Sequence, residues 1–407
     1  MKFAIKSLAF AAAVVAGSAQ AVIVTPGTAI QVVDPTGATT RTAEFKLLSS
    51  YSGGNVNAGS FSTGGDLIFG IGTYKGGAYI PGLSGTSSTP SSVTGIGGAV
   101  AALNTGKITL TGQDGVTVSE TYRARSTDKN VYPNYAAALA SLSNPATQGY
   151  VNNNATTPLA PLATTANTTT ITRISAVANS SIASLDAVTT GPNAGQILVA
   201  NAVGGAFQRG TEIPGTLTGG TLLVENIRFD LANRTVIADV TGDPDPVDGE
   251  GDIESETRLS FPVWTWTAAD EVGPTSLKPA SVLAADPVAA LAADGFTLLN
   301  QVSSGQLNPL TPNPTDTFQK YTVLAQTQFK NLQITEDARL FFIQSFGLGD
   351  AGKNALNAVN GSLGGWGTVA SNIVFEVQEV PEPSTYALMG LGLVGISLVA
   401  RRRSAAK

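Results

Sequence analysis

Between residues 22 and about 378, apolar and polar positions alternate over short runs that Gly, Asn and Asp interrupt. Alternation of this period places the apolar side chains on one face of a strand. Residues 107–111 and 116–122 flank Gly112-Gln113-Asp114-Gly115. An Asp-Gly step between alternating runs predicts a hairpin. Residues 221–229 and 235–240 flank the loop 230–234 and predict a second hairpin. Residues 258–267 read as another strand, and Pro262 puts it at a sheet edge or a bulge. Residues 372–378 read as a final strand. Helical signals are fewer. Thr335 is a candidate N-cap, Glu336 and Asp337 fill a first turn, and Gly347 follows residues 338–346 as a stop. Residues 135–141 and 351–359 are shorter helix candidates.

Three stretches read as loops or linkers. Residues 76–98 are Gly- and Ser-rich, 141–170 are Thr-, Ala- and Asn-rich, and 300–317 carry Pro309, Pro312 and Pro314. The expected body is mainly β: an antiparallel β-sandwich with one or two short helices. A soft boundary near residue 215 divides a β-rich region with Gly/Ser/Thr-rich loops (22–215) from a sandwich region (216–378) holding the helix at 336–346. One elaborated domain fits the length as well.

The ends read differently. Lys2 and Lys6 precede a ten-residue apolar run, residues 8–17. Ala19-Gln20-Ala21 then forms an A-x-A site, with Ala19 and Ala21 as its small residues. Together these predict a signal peptide over 1–21, cut by signal peptidase so that the chain starts at Val22. The run is short for a span, which needs about 20 residues. At the other end, Pro381-Glu382-Pro383 cannot form regular helix or a central strand, so it stays extended and accessible. Residues 386–400 carry no charge and read as a membrane helix. Arg401, Arg402 and Arg403 hold the end in the cytoplasm.

Residues 380–403 resemble the PEP-CTERM sorting signal of Gram-negative bacteria. The resemblance implies that exosortase, a membrane-embedded protease, recognises Pro381-Glu382-Pro383. It further implies that the apolar segment holds the chain in the inner membrane until it is cut. The resemblance implies, too, that the product goes to the outer surface, usually in bacteria that make exopolysaccharide. The alternative is a plain tail anchor. The body loosely resembles uncharacterised proteins with this signal, through residues 227–233, the helix at 338–346 and Gly365-Trp366-Gly367; no activity comes with that likeness.

Composition narrows the chemistry. The chain has 407 residues and neither His nor Cys. Disulfides, His-based catalytic triads, and zinc or haem sites on His or Cys are therefore impossible. Charged residues are 13% and Gly numbers 45. Loss of both ends removes six of 23 basic residues and at most one of 29 acidic residues, leaving a net charge of about −12. A surface of that sign disfavours nucleic acid and anionic lipid. The one acidic cluster runs from Asp243 to Glu256. Asp243, Asp245, Asp248 and Asp252 are candidate Ca²⁺ ligands, since Ca²⁺ takes six to eight oxygens. The loop is not an EF-hand: Val247 and Ile253 fall where an oxygen ligand and a glycine belong, counting from Asp243 and Asp248. The other reading is a solvated loop. Trp264, Trp266 and Trp366 suit either the core or a sugar-binding surface. No motif marks a catalytic residue. The leading expectation is a structural or adhesive surface protein, not an enzyme, with exopolysaccharide as a partner and no cofactor. A glycan- or Ca²⁺-binding module is the second, and a secreted glycan-acting enzyme the third.

Overall fold

The computed structural model describes residues 20–36, 41–52, 60–62, 65–71, 108–123, 132, 136–137, 140–141, 172–210, 212, 218–245, 254–308, 313, 315–350, 353, 357 and 367–380. The N-terminal part gives β1 (Ala21–Val24), β2 (Ala29–Val33), β3 (Thr42–Leu47), β4 (Ser50–Ser52), β5 (Ser60–Ser62), β6 (Gly65–Ile71), β7 (Ile108–Gln113) and β8 (Thr117–Arg123). The middle gives β9 (Thr172–Val188), β10 (Ile197–Ala202), β11 (Gly205–Gly210), β12 (Gly220–Asp230), β13 (Thr235–Pro244) and β14 (Glu256–Thr265). Next come β15 (Glu271–Val272), helices α1 (Pro279–Val282) and α2 (Pro287–Ala293), β16 (Phe296–Leu307), β17 (Thr317–Phe329) and β18 (Gln333–Ile334). Helix α3 (Glu336–Ser345) and β19 (Gly367–Val380) end the body.

Apart from the two-stranded ribbon β4–β5, the strands form two antiparallel sheets, as the alternation predicts. In one, β10 and β11 line up along β12, followed by β13 and β14. In the other, β16, β17 and β19 lie side by side, and β3 and β6 share the far side of β19. The 17-residue strand β9 crosses between them: Ala176–Ser181 pairs with β6, and Ile182–Ala187 with β10. At the opposite edge, β14 runs on into β15 while β17 runs on into β18. Trp264 meets Ile334 and Glu271 meets Phe329, so the pairing closes into a barrel. The expected sandwich is thus sealed at both edges. One core takes residues from Val24 through Phe45, Leu222, Val323 and Phe341 to Val377, on both sides of residue 215. Phe45 and Phe375 meet edge-to-face at its centre, 6.3 Å apart. A small second cluster, Leu324 and Val374, lies under Leu48, Tyr51 and Leu299.

Helix α3 forms where its local signals put it. Thr335 Oγ1 accepts from the Ala338 N–H at 3.2 Å and donates to the Pro262 carbonyl at 2.8 Å. At the other end Gly347, with φ +56°, takes the left-handed position. Its N–H donates to Gln344 O and the Leu348 N–H to Ile343 O, a Schellman arrangement. The helix lies against the inner face of β12–β14, with Phe342 edge-on to Trp264.

Two expectations change. The Asp114-Gly115 turn forms with both φ angles positive, but its arms diverge: β7 pairs with β11 and β8 with β9. The arms come closest at the turn, where a side chain at Gly112 would strike the Val116 carbonyl. The hairpin β12–β13 pairs as expected, with a bulge between Glu225 and Arg228. The stretch 300–317 is not a loop throughout, because β16 reaches Leu307 as an edge strand with a mostly exposed outer half. The loop expectations at 76–98 and 142–170 lie outside the described residues. Ala136, Ala137, Ala140 and Ser141 are helical, as are Lys353 and Asn357. Pro262 sits next to a bulge of β14, just before the Trp264–Thr265 stretch that pairs with β18.

Candidate functional site

The C-terminal junction begins on a strand held from both sides. β19 pairs with β17 from Lys320 opposite Gln378 onward, and with β3 as far as Thr42 opposite Val380. Arg41 closes this end. Its Nη2 and Nε donate to Glu379 Oε1 at 2.7 and 3.2 Å, and its Nη1 donates to the Leu283 carbonyl at 2.7 Å. Gln378 Nε2 donates to Glu44 at 2.8 Å, and Lys46 and Lys320 both flank Glu376 at 3.8 Å. Pro381 follows, and having no N–H it cannot extend the ladder. Replacing Arg41 by Ala costs about 1 kcal/mol, since its guanidinium is partly exposed. Hydrogen exchange at Gln378 and Val380 then speeds up while the rest of β19 is unchanged.

The neighbouring edge carries the other end of the body. Thr42 lies opposite Val33, the Val33 N–H donates to the Thr189 carbonyl at 3.0 Å, and the Thr189 N–H donates to the Gln20 carbonyl at 2.9 Å. Ala21 is the exposed first residue of β1, while Ala19 lies outside the described residues. Pro381, Glu382, Pro383 and Arg401–Arg403 also lie outside them. No helix among the described residues is long and apolar enough to cross a membrane.

The comparison with protein families bears on this junction. Residues 379–403 match the PEP-CTERM protein-sorting motif. The chain therefore ends in an exosortase-targeting signal. No curated protein and no solved structure matches the chain. The PEP-CTERM match starts at Glu379, the residue that Arg41 grips, so the motif is fused to the barrel without a linker. It marks an exported protein of the cell surface or the surrounding medium.

The other candidates behave as parts of the body. Asp243 is exposed at the end of β13, and Asp245 lies against Gly219; Asp248 and Asp252 lie outside the described residues. Among the described residues no group of three or more acidic side chains is placed to hold a metal ion. Trp264 and Trp266 share a face, as their spacing predicts, but that face is the core. Trp266 stacks on Phe329 at 4.5 Å and its Nε1 donates to Glu271 at 2.9 Å. These two tryptophans are no sugar platform, and Trp366 is outside the described residues. The barrel encloses a recess of about 50 Å³ between Leu110, Val224, Phe229 and Trp264, with Gln208 and Ser180 as its polar lining. This recess is about a third of the size of an engineered cavity that binds one benzene.

Sequence reasoning missed a polar cluster on the outer face of β13. Asp239 Oδ1 accepts from the Ser260 N–H at 2.7 Å, and Oδ2 from Asn226 Nδ2 at 2.8 Å. Arg228 stands 3.6 Å away and donates to Ser260 Oγ. Asn226 and Ser260 both have φ near +50° although neither is glycine. One carboxylate thus holds the bulges of both neighbouring strands. The Ser260 N–H above all, with Asn226 and Arg228, holds the Asp239 carboxyl below its usual range. No spacing rule reveals this group, because the bulges themselves bring it together. Asp186 is the opposite case. Burial pushes its carboxyl up, and its Oδ1 is buried without a hydrogen bond. A raised folded pKa means that stability falls as pH rises through the ordinary carboxylate range. Asp186→Asn is therefore more thermostable than the parent at pH 7, and the gain disappears in acid, where both states are protonated. Asp239→Ala behaves inversely: its loss of stability is full at pH 7 and fades as pH falls. Thermal melts from pH 3 to 7 check both.

Proposed function

We propose that the protein is a structural or adhesive component of the cell surface or extracellular matrix, not an enzyme, and that its role depends on delivery through the PEP-CTERM motif. The observation that carries this reading is the linkerless fusion of that motif to the last strand of a closed barrel. Removal of everything after Val380 leaves each β19 ladder in place, so the body survives processing as a folded unit. In this reading residues 386–400 hold the chain in the inner membrane and exosortase reads Pro381-Glu382-Pro383. Arg401, Arg402 and Arg403 keep the far end cytoplasmic. The processed body, with a net charge of about −12, is repelled by anionic lipid and suits a neutral or basic polysaccharide matrix.

The test is attachment. Cells lacking the protein attach less to surfaces and to one another. The full chain restores attachment, and a chain with alanine at 381–383 does not. Unchanged attachment after deletion would contradict the reading.

A further inference from the structure

We infer that one edge of the barrel, the edge built from Gln20, the 34–36 turn, Thr42, Thr189 and Val380, faces the membrane surface while the chain is held there. The inference rests on the reading that residues 386–400 anchor the uncut chain.

Three observations define the edge. First, the strands meet in one row. Val380 lies opposite Thr42 and Thr42 opposite Val33; Val33 is bonded to Thr189 and Thr189 to Gln20. Each step is one strand spacing of about 4.8 Å, so Gln20 and Val380 lie within about 20 Å of each other. Second, the directions agree. β2 and β19 both run antiparallel to β3, so they run the same way. The turn at Asp34 and Thr36 therefore projects past the sheet in the direction the tail leaves. Third, the tether is short. Residues 381–385 separate Val380 from the apolar segment, and fully extended they reach only about 17 Å. By contrast, the 14 residues of β19 span about 45 Å. Two prolines stiffen the tether further. A barrel longer than its tether cannot tumble freely: the Val380 edge stays near the lipid headgroups, and the pose with the Gly367 end of β19 nearest the lipid is barred. While a signal peptide is still attached, it leaves from the same edge and reinforces this pose.

The absence of Cys from the chain makes the test clean. Thr36→Cys labels the near edge. Ala269→Cys labels an exposed site beside Asp270, whose carbonyl accepts from the Lys330 N–H next to the Phe329–Val369 pair, at the far end of β19. Both full-length variants carry a fluorophore and are reconstituted into phosphatidylethanolamine–phosphatidylglycerol vesicles that contain a headgroup-nitroxide lipid. The expected result is quenching at residue 36 several-fold greater than at residue 269. Gln31→Cys, exposed on β2, repeats the near measurement if the turn tolerates no change. Equal quenching at near and far sites, with the chain bound to vesicles, overturns the orientation alone. A full-length chain that stays off the vesicles overturns the anchoring reading and the orientation with it. A chain ending at Thr385 that still binds with the same quenching pattern shows that the body binds lipid by itself, and overturns the tether argument.

Discussion

Alanine at Pro381, Glu382 and Pro383 together leaves the protein in the membrane fraction with its tail intact, and surface-exposed material falls to background. The reason lies in the chemistry of the two prolines and the acid between them. The ladder ends at Val380, where β3 supplies the last partner and Arg41 grips Glu379. Beyond it, the two prolines keep the chain from continuing as strand or winding into helix. Alanine removes both restrictions and the single acid between them. The described ladders of β19 end at Val380, before the substituted residues, so the barrel is expected to keep its fold. Fractionation and circular dichroism together check this: sorting is lost while the β signal and the melting temperature of the body are kept. A variant that unfolds, or one that is released normally, contradicts the account. Glu382→Gln alone separates the acid from the prolines.

The second large effect concerns the seat of α3. Gly220 has φ +136°, and a Cβ there would lie 2.2 Å from the Ser345 carbonyl oxygen and 2.8 Å from Pro244 Cα. Both are backbone atoms, and the conformation itself disfavours any side chain. Gly220→Ala therefore costs about 3 kcal/mol or more, through strain and displacement of the helix end. Gly242 faces the same serine differently. Its Cβ would meet Ser345 Oγ at 2.0 Å and Ser345 Cβ at 2.9 Å, both side-chain atoms. Gly242→Ala is also destabilising, but Ser345→Gly in the same chain recovers part of the loss. Ser345→Gly does nothing for Gly220→Ala, since the carbonyl remains. A double-mutant cycle read by denaturant unfolding distinguishes the two.

These elements also show what the sequence carried. α3 was legible because its signals are local: a threonine cap, acids in the first turn and a glycine in the left-handed position at its end. The sorting motif was legible for the same reason, since its three parts are contiguous. The hairpin β12–β13 needed only a short loop, where Asn233 and Asp230 bond to each other. β9 was not legible. Its Ala, Ser and Asn residues give little apolar contrast, and besides its neighbour β10 it pairs with β1, β6 and β8, which are distant in sequence. β16 was hidden by polar residues that suit an exposed edge strand as well as a loop. Closure of the barrel depends on β14 and β17 each continuing round a corner, which no periodicity encodes. The Asp239 cluster depends on two bulges in register. The tryptophans were ambiguous from spacing alone, because a strand face reads the same whether it meets solvent or core.

The most direct test is the intact mass and terminal sequence of the protein recovered from the cell surface and the medium. The account predicts a chain that begins at Val22, keeps all of β19 and has lost the apolar residues 386–400 with the arginines behind them. A surface form that still ends at Lys407 would contradict it.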